Sequence, residues 1–140
     1  SESSLVYQYF GKKGQFNYGL SANYTSSTYR VNLDLPKIEK GDQLFYTPKY
    51  QINNSIEYTL GQMSVRYQHL FFGKTKGAND ELPAYHIGNL QLGYNFIQNQ
   101  TSGMLFIVIN NLYNHSYIVV ERRPMAGINY QIGININFKK

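Results

Sequence analysis

The sequence contains no cysteine and little charge, and both absences narrow the classes of protein that it can encode. Without cysteine among its 140 residues, the chain can form neither a disulfide framework nor a thiolate zinc site. Charged residues make up 15% of the chain, against roughly a quarter in an ordinary soluble domain. The 14 tyrosines and 8 phenylalanines nevertheless indicate an ordered domain rather than a disordered chain.

A long apolar stretch is also missing. The longest unbroken apolar run spans only residues 104–109, whereas a helix needs about 20 apolar residues to cross a bilayer. Any membrane-spanning part must therefore be built from strands, which can also satisfy their backbone hydrogen bonds in lipid when they form a closed barrel.

What the sequence does contain is an alternation of apolar and polar residues with a period of two. From residue 128 to residue 138, every even-numbered position is Ile, Tyr or Phe and every odd-numbered position is Asn, Gln or Gly. This is the pattern of a strand with one apolar face. Similar alternation, with a few lapses, marks six more segments: residues 5–10, 15–25, 50–60, 63–71, 90–96 and 104–113. The sequence therefore predicts an all-β fold of about seven strands.

The connections between these predicted strands alternate in length. Residues 11–14, 60–62 and 98–103 are short turns, and residues 26–47, 73–84 and 114–127 are long loops. Strands that run up and down in sequence order would place all short turns at one end and all long loops at the other, which is typical of outer-membrane barrels. The expected members are Lys12, Lys13, Gly61 and Asn99 at the periplasmic end, and Lys37, Lys76 and Arg123 at the opposite end.

The few charges avoid the predicted strands. The chain has 13 basic and 8 acidic residues, yet only Glu57 and Arg66 lie within the strand segments. A soluble sandwich would carry Lys and Glu on its outward faces, whereas the Asn, Gln and Ser found here suit an aqueous lumen opposite a lipid-facing side. The residues expected to face lipid are Phe16, Tyr18, Leu20, Leu90, Leu92, Tyr130, Ile132 and Ile134, and those expected to face the lumen include Asn129, Gln131 and Asn135.

The two charged strand residues are expected to be partners. If residues 61–62 form a two-residue hairpin turn, the register of the hairpin places Glu57 directly across from Arg66 on the lumen face. Such a cross-strand pair is worth roughly 0.2–1 kcal/mol where water reaches it.

Several segments resemble one family of membrane proteins. Residues 110–117 (NNLYNHSY), residues 123–130 (RPMAGINY) and the final alternating strand to Phe138 resemble the closing segment of TonB-dependent outer-membrane receptors. Upstream, residues 47–58 and 82–96 resemble the preceding strands of the same barrels, in the same order. The resemblance covers essentially the whole chain.

This resemblance implies both a fold and a function. It implies an antiparallel meander of about seven transmembrane strands, in which residues 1–140 are the C-terminal third of a barrel of about 22 strands and the plug domain is absent. It implies a receptor in the outer membrane of a Gram-negative bacterium that takes up a scarce ligand: a ferric siderophore, haem or a vitamin-like molecule, in preference to a glycan. The implied partners are outer-membrane lipid, the rest of the barrel with its plug, and the energy-transducing TonB complex, which the missing N-terminal part would contact.

One predicted strand is apolar on both faces. In residues 104–109, Phe106 and Val108 are expected to face the lumen, where bare apolar surface would cost about 25 cal/mol per Å². We therefore expect these two side chains to pack against the plug of the intact receptor.

No pattern of catalytic residues is found, so neither an enzyme nor a cofactor is predicted. His69, His86 and His115 are too far apart in sequence for chelation by one element, and they are interpreted as unrelated residues rather than as metal ligands. Nucleic acid is not predicted as a partner, because the loop charges are of mixed sign and the tyrosines fall mainly on the apolar face.

The last long loop holds the only candidates for ligand binding. Glu121, Arg122 and Arg123 lie where the resemblance places the mouth of the barrel, and paired arginines can bind a carboxylate or a phosphate in bidentate fashion. Two other interpretations of the whole chain stay open: a small free-standing outer-membrane barrel or adhesin, and a soluble carbohydrate-binding β-sandwich that uses its tyrosines as sugar platforms. Two open sheet edges would exclude the first, and solubility without detergent would decide the second.

Overall fold

The computed structural model describes residues 2–12, 14–34, 38–98 and 101–138. In this part of the chain all regular secondary structure is β-strand, which confirms the predicted fold class. The same residues contain no helix that is long and apolar enough to cross a membrane.

Seven long strands form one antiparallel sheet, and four short strands form two ribbons within the long loops. In chain order the strands are β1 (Glu2–Phe10), β2 (Gln15–Tyr24), β3 (Tyr50–Leu60), β4 (Met63–Phe72), β5 (Thr75–Lys76), β6 (Glu81–Leu82), β7 (Tyr85–Gln98), β8 (Thr101–Asn110), β9 (Ile118–Val120), β10 (Arg123–Pro124) and β11 (Asn129–Phe138). The sheet order is β1-β2-β3-β4-β7-β8-β11, while β5 pairs with β6 and β9 pairs with β10. The predicted seven-stranded meander is confirmed, and the two ribbons are additions that the sequence pattern did not predict.

Several strand boundaries differ from the prediction: among them, β1 begins at Glu2 rather than at residue 5, and β8 begins at Thr101 rather than at residue 104. β7 begins at Tyr85 rather than at residue 90 and is the longest strand of the sheet. β8 ends at Asn110 rather than at residue 113, because Asn111 has a φ of 51°, a left-handed conformation that a strand cannot contain.

In each long strand, alternate side chains point to opposite faces of the sheet. The register places the apolar side chains of neighbouring strands on the same face. A row of directly opposed residues crosses six strands on one face: Tyr18, Ile56, Tyr67, Leu90, Ile109 and Tyr130. Because opposed residues share a face, all eight residues predicted to face lipid lie on this side, which we call the apolar face. Asn129, Gln131 and Asn135 lie on the other side, which we call the polar face.

The connections separate into two ends of the sheet, as predicted. Lys12 and Gly61 lie in the tight connections at one end, which we call the turn end. Lys76 and Arg123 lie in the long connections at the other end, which we call the loop end. The other three residues of this prediction, Lys13, Lys37 and Asn99, are outside the described residues.

In the part of the chain that the structure describes, neither face of the sheet is covered by another layer. Among the residues described, only Ile38 and Leu82 are buried hydrophobic side chains, and both belong to the loops. On the apolar face Ile132 remains 79% exposed and Tyr130 remains 65% exposed. The β-sandwich interpretation is therefore wrong, because a sandwich buries one face of each sheet against a second sheet, and the described part of the chain has no such second sheet.

The sheet is also open. β1 and β11 each pair on one side only and do not pair with each other. The described residues therefore do not form the small closed barrel that was the other alternative, and both edges offer a row of backbone hydrogen-bonding groups to further strands.

Candidate functional site

The polar face carries the ion pair that the sequence predicted. β3 and β4 pair so that Leu60 opposes Met63 and Glu57 opposes Arg66. Arg66 Nη2 donates to Glu57 Oε2 at 2.6 Å, and Arg66 Nε donates to the same oxygen at 3.1 Å. The predicted register is confirmed. It depends on the tight turn at Gly61, whose φ of 58° favours glycine.

Uncharged amides and small residues surround this ion pair. In the row next to it, Gln68 Nε2 donates to Asn53 Oδ1 at 3.1 Å. A small cavity of about 120 Å³ lies beside Arg66 and is lined in part by Asn89 and Gln91. The polar face can therefore offer hydrogen bonds to water or to a polar molecule while carrying little net charge.

Phe106 and Val108 lie on this same polar face, as expected. Phe106 stands between Gly93 and Gly133 on the neighbouring strands, and its ring lies over Gly133, in the space that a Cβ there would occupy. Because Gly133 has no side chain, the Phe106 ring can pack directly on its backbone, a contact that a larger residue at position 133 would prevent.

At the loop end, the first long loop is anchored to the ribbon of β5 and β6. Lys76 Nζ donates to Asp42 Oδ2 at 2.6 Å, and Tyr46 N donates to Lys76 O at 2.8 Å. The hydrogen bond from Lys76, followed by one from the Glu39 backbone, lowers the pKa of the Asp42 carboxyl. The described residues of this loop, 25–34 and 38–49, are therefore held over one side of the loop end by a charge-assisted contact.

Glu121 joins the two ribbons. Its Oε1 accepts from Asn79 N at 2.7 Å and from Asp80 N at 3.0 Å, and its Oε2 accepts from Asn79 Nδ2 at 2.8 Å. The backbone hydrogen bonds from Asn79 and Asp80 lower the pKa of the Glu121 carboxyl, and the charge of Arg122 adds a smaller contribution. This carboxylate is thus committed to contacts within the protein, although the sequence had made it a candidate for ligand binding.

The two arginines that follow Glu121 are differently placed. Arg122 forms the tip of the ribbon of β9 and β10 with a φ of 60°, and Arg123 begins β10; both are exposed. Within the described residues neither arginine has an ion pair closer than 4 Å. Of the three candidates, the two arginines are therefore the ones that have no ion pair within the described residues and can offer their donors to an anion.

Asn111 is the anchor of the last long loop, a role that sequence reasoning did not assign. It is 2% exposed, and its Nδ2 donates to the backbone oxygens of His115 at 2.8 Å and Ala126 at 3.2 Å. Its Oδ1 accepts from His115 N at 3.0 Å. In the NNLYN segment, the Asn111 side chain therefore supplies hydrogen bonds at the point where β8 ends and backbone pairing stops.

Aromatic rings form a stack at the loop end of the polar face. Tyr85 stacks on Phe72 with ring centroids 4.9 Å apart and on Tyr117 with centroids 4.6 Å apart. Phe72 and Tyr85 are directly opposed on β4 and β7, and Tyr117 reaches them from the last long loop. The stack gives a flat, partly polar surface next to the loop that carries the two free arginines.

The three histidines are close together, so the prediction that they are unrelated was wrong. His69 Nε2 and His86 Nδ1 are 3.2 Å apart, and the rings of His86 and His115 have centroids 5.5 Å apart. Tyr113 joins the group by covering Gly88, the residue opposite His69. Within the part of the chain that the structure describes, no group of three such residues is arranged to hold a metal ion. The sequence spacing of the histidines does not indicate that they are close. A prediction of how β4 and β7 pair would have indicated it for His69 and His86.

The comparisons with known proteins agree with this geometry. A family model described as TonB dependent receptor-like, beta-barrel, matches residues 2–112. This range ends inside the NNLYN segment, so the closing strand lies outside it. The comparison with curated proteins found no match. Because the family model covers most of the chain, this chain belongs to the TonB-dependent receptor-like β-barrel family.

Proposed function

We propose that this chain forms part of the wall of an outer-membrane receptor that imports a scarce ligand by coupling to the TonB complex. The observation that carries the proposal is the contrast between the two faces of an uncovered sheet. A soluble monomer rarely exposes an apolar patch larger than a few hundred Å², whereas a barrel wall needs such a face toward lipid and a polar face toward its lumen.

The proposal assigns surroundings to each part of the sheet. The apolar face contacts outer-membrane lipid of a Gram-negative bacterium, and the polar face with Glu57 and Arg66 lines the lumen. Residues 1–140 are the C-terminal segment of the barrel, and the open edges of β1 and β11 pair with its remaining strands. A plug domain elsewhere in the polypeptide covers Phe106 and Val108 and contacts the TonB complex.

The loop end is proposed as the ligand entrance. Arg122 and Arg123 supply donors for a carboxylate or phosphate, and the stack of Phe72, Tyr85 and Tyr117 supplies aromatic contact. Glu121 acts there indirectly, by holding the ribbons together. These features suit an anionic, partly aromatic ligand such as a ferric siderophore or haem better than a neutral glycan.

The membrane orientation can be tested by cysteine labelling, because the chain has no cysteine of its own. Lys40→Cys lies in the first long loop, and Lys12→Cys lies in a tight turn at the opposite end. On intact cells, a membrane-impermeant maleimide should label Lys40→Cys only, whereas both variants should react after lysis. Equal labelling of both variants on intact cells would contradict a transmembrane wall.

The uptake function needs a separate test. A strain that lacks the gene should be compared with its parent for growth on a ferric siderophore, haem or cobalamin as the sole source of iron or vitamin. We expect loss of growth on one of these, with recovery when the complete gene is restored. Unchanged growth on all three would contradict the proposed ligand class without contradicting the barrel.

A further inference from the structure

A groove opens at the loop end of the apolar face, between residues 42–49 of the first long loop and the ribbon of β5 and β6. Its volume is about 810 Å³, within the range of small-molecule sites. Its floor includes Tyr50, Ile52 and Phe71. Because Ile52 and Phe71 are directly opposed on the apolar face, the groove belongs to the side of the wall that we propose faces lipid.

The rim of the groove is charged, with an excess of cations. Lys49, Lys74 and Lys76 contribute to its lining together with Asp42 and Glu81. Lys76 is bound to Asp42 at 2.6 Å, whereas the contact of Lys74 with Glu81 is 3.5 Å long and both side chains are more than 60% exposed. An exposed pair of this kind contributes little and exchanges readily for another partner.

Lys49 completes the rim. In the described part of the chain this exposed lysine has no ion pair within 4 Å. It directly precedes β3 and lines the groove together with Tyr50, the first residue of the apolar floor. Apolar floor and cationic rim together match a molecule that has an acyl chain and an anionic head.

From this arrangement we infer that the groove binds an anionic, phosphate-bearing lipid of the surrounding leaflet. The phosphate lies between Lys49 and Lys74, and an acyl chain lies along Ile52 and Phe71. The inference rests on the proposed function, because only a membrane-embedded wall presents this groove to lipid. A lipid without an anionic head would leave Lys49 without an ion pair in the described part of the chain, and a free phosphate would leave the apolar floor exposed to water.

The test uses the complete protein that carries this chain, reconstituted in nanodiscs of phosphatidylcholine mixed with phosphatidylglycerol. Native mass spectrometry then counts the phosphatidylglycerol molecules that stay bound. The variant Lys49→Gln/Lys74→Gln should retain roughly tenfold less of this lipid, because each lysine near an anionic lipid surface contributes measurably to binding. The matched control, Lys12→Gln/Lys40→Gln, removes the same charge outside the groove and should retain as much as the unchanged protein.

Two further measurements distinguish binding of a lipid from binding of a free anion. Phe71→Ala should also reduce the retained phosphatidylglycerol, because it shortens the apolar floor. Sodium phosphate added to the nanodiscs should displace little of the lipid. Complete displacement by phosphate, or retention unaffected by Phe71→Ala, would overturn the assignment to a lipid.

The remaining outcomes distinguish this inference from the proposed function. If the protein is found in the outer membrane but both double variants retain equal lipid, the groove assignment fails and the barrel proposal stands. If the protein is not found in the outer membrane at all, the proposed function fails and the groove assignment fails with it.

Discussion

Arg66 and Glu57 face each other across β4 and β3, and both guanidinium hydrogen bonds go to one carboxylate oxygen, Oε2. The second oxygen of Glu57 has no hydrogen-bond partner among the residues that the structure describes. The pair thus neutralises two of the three charged residues in the long strands, the third being Glu2 at the start of β1, and still leaves one acceptor on the polar face for water or a ligand.

We predict that this ion pair contributes only modestly to stability. A double-mutant cycle of Glu57→Gln and Arg66→Gln should give a coupling energy of roughly 0.2–1 kcal/mol, because water screens partly exposed pairs. Arg66 is 54% exposed. The measurement is the free energy of unfolding by urea, in detergent micelles at low salt, of the four proteins. A coupling energy of zero would show that the contact contributes nothing.

The two faces of β11 should respond oppositely to the same charge. Ile132→Lys should reduce the yield of folded protein in the outer membrane, because a lysine on the lipid face near the bilayer midplane costs about 2–4 kcal/mol. Its neighbour Gln131 lies on the polar face and is also exposed, so Gln131→Lys should have little effect. Membrane fractionation and resistance to extraction measure the yield. Equal tolerance of both lysines would argue against lipid on the apolar face.

The contact between Phe106 and Gly133 should depend on the absence of a side chain at residue 133. Gly133→Ala introduces a Cβ where the Phe106 ring lies, and displacement of the ring should lower the free energy of unfolding by about 1–3 kcal/mol. Phe106→Ala alone also destabilises, but adding Gly133→Ala to it should cost much less than in the unchanged protein. Urea unfolding of the three variants checks this. Additive effects would mean that the ring does not occupy this space.

Glu121 should make the contact between the two ribbons sensitive to acid. Its hydrogen bonds favour the ionised form and lower its pKa in the folded protein. The contact is therefore fully present at pH values above the pKa that Glu121 has in the unfolded chain. It is lost as the pH falls through the lower pKa that Glu121 has in the folded protein. Hydrogen exchange at the amides of Asn79 and Asp80 should accelerate over that range, relative to amides elsewhere in the same loops.

The variant Glu121→Gln gives the same test at neutral pH. It should accelerate exchange at the two amides, whereas Glu39→Gln, which changes an exposed carboxyl of the first loop, should not. Protection that is unchanged in Glu121→Gln would show that the carboxylate does not hold the ribbons together.

The sequence by itself determined the sheet. Alternation with period two places a residue on one face or the other irrespective of the rest of the molecule, so the sharing of one face by Tyr18 and Ile132 could be predicted without coordinates. The register of β3 and β4 followed from a local feature as well, because a two-residue turn at Gly61 permits one pairing, and Glu57 met Arg66 as a result.

Only the tertiary structure decided how the loops meet. Glu121 contacts Asn79 across 42 positions of sequence, and no periodic pattern describes such a contact, because loop backbones lack the repeating geometry of a strand. The histidines show the same limit. His69 and His86 are 17 residues apart in sequence, and they meet because β4 and β7 pair in one register along their whole length. That register is the sum of many weak backbone and side-chain contacts, and neither histidine determines it.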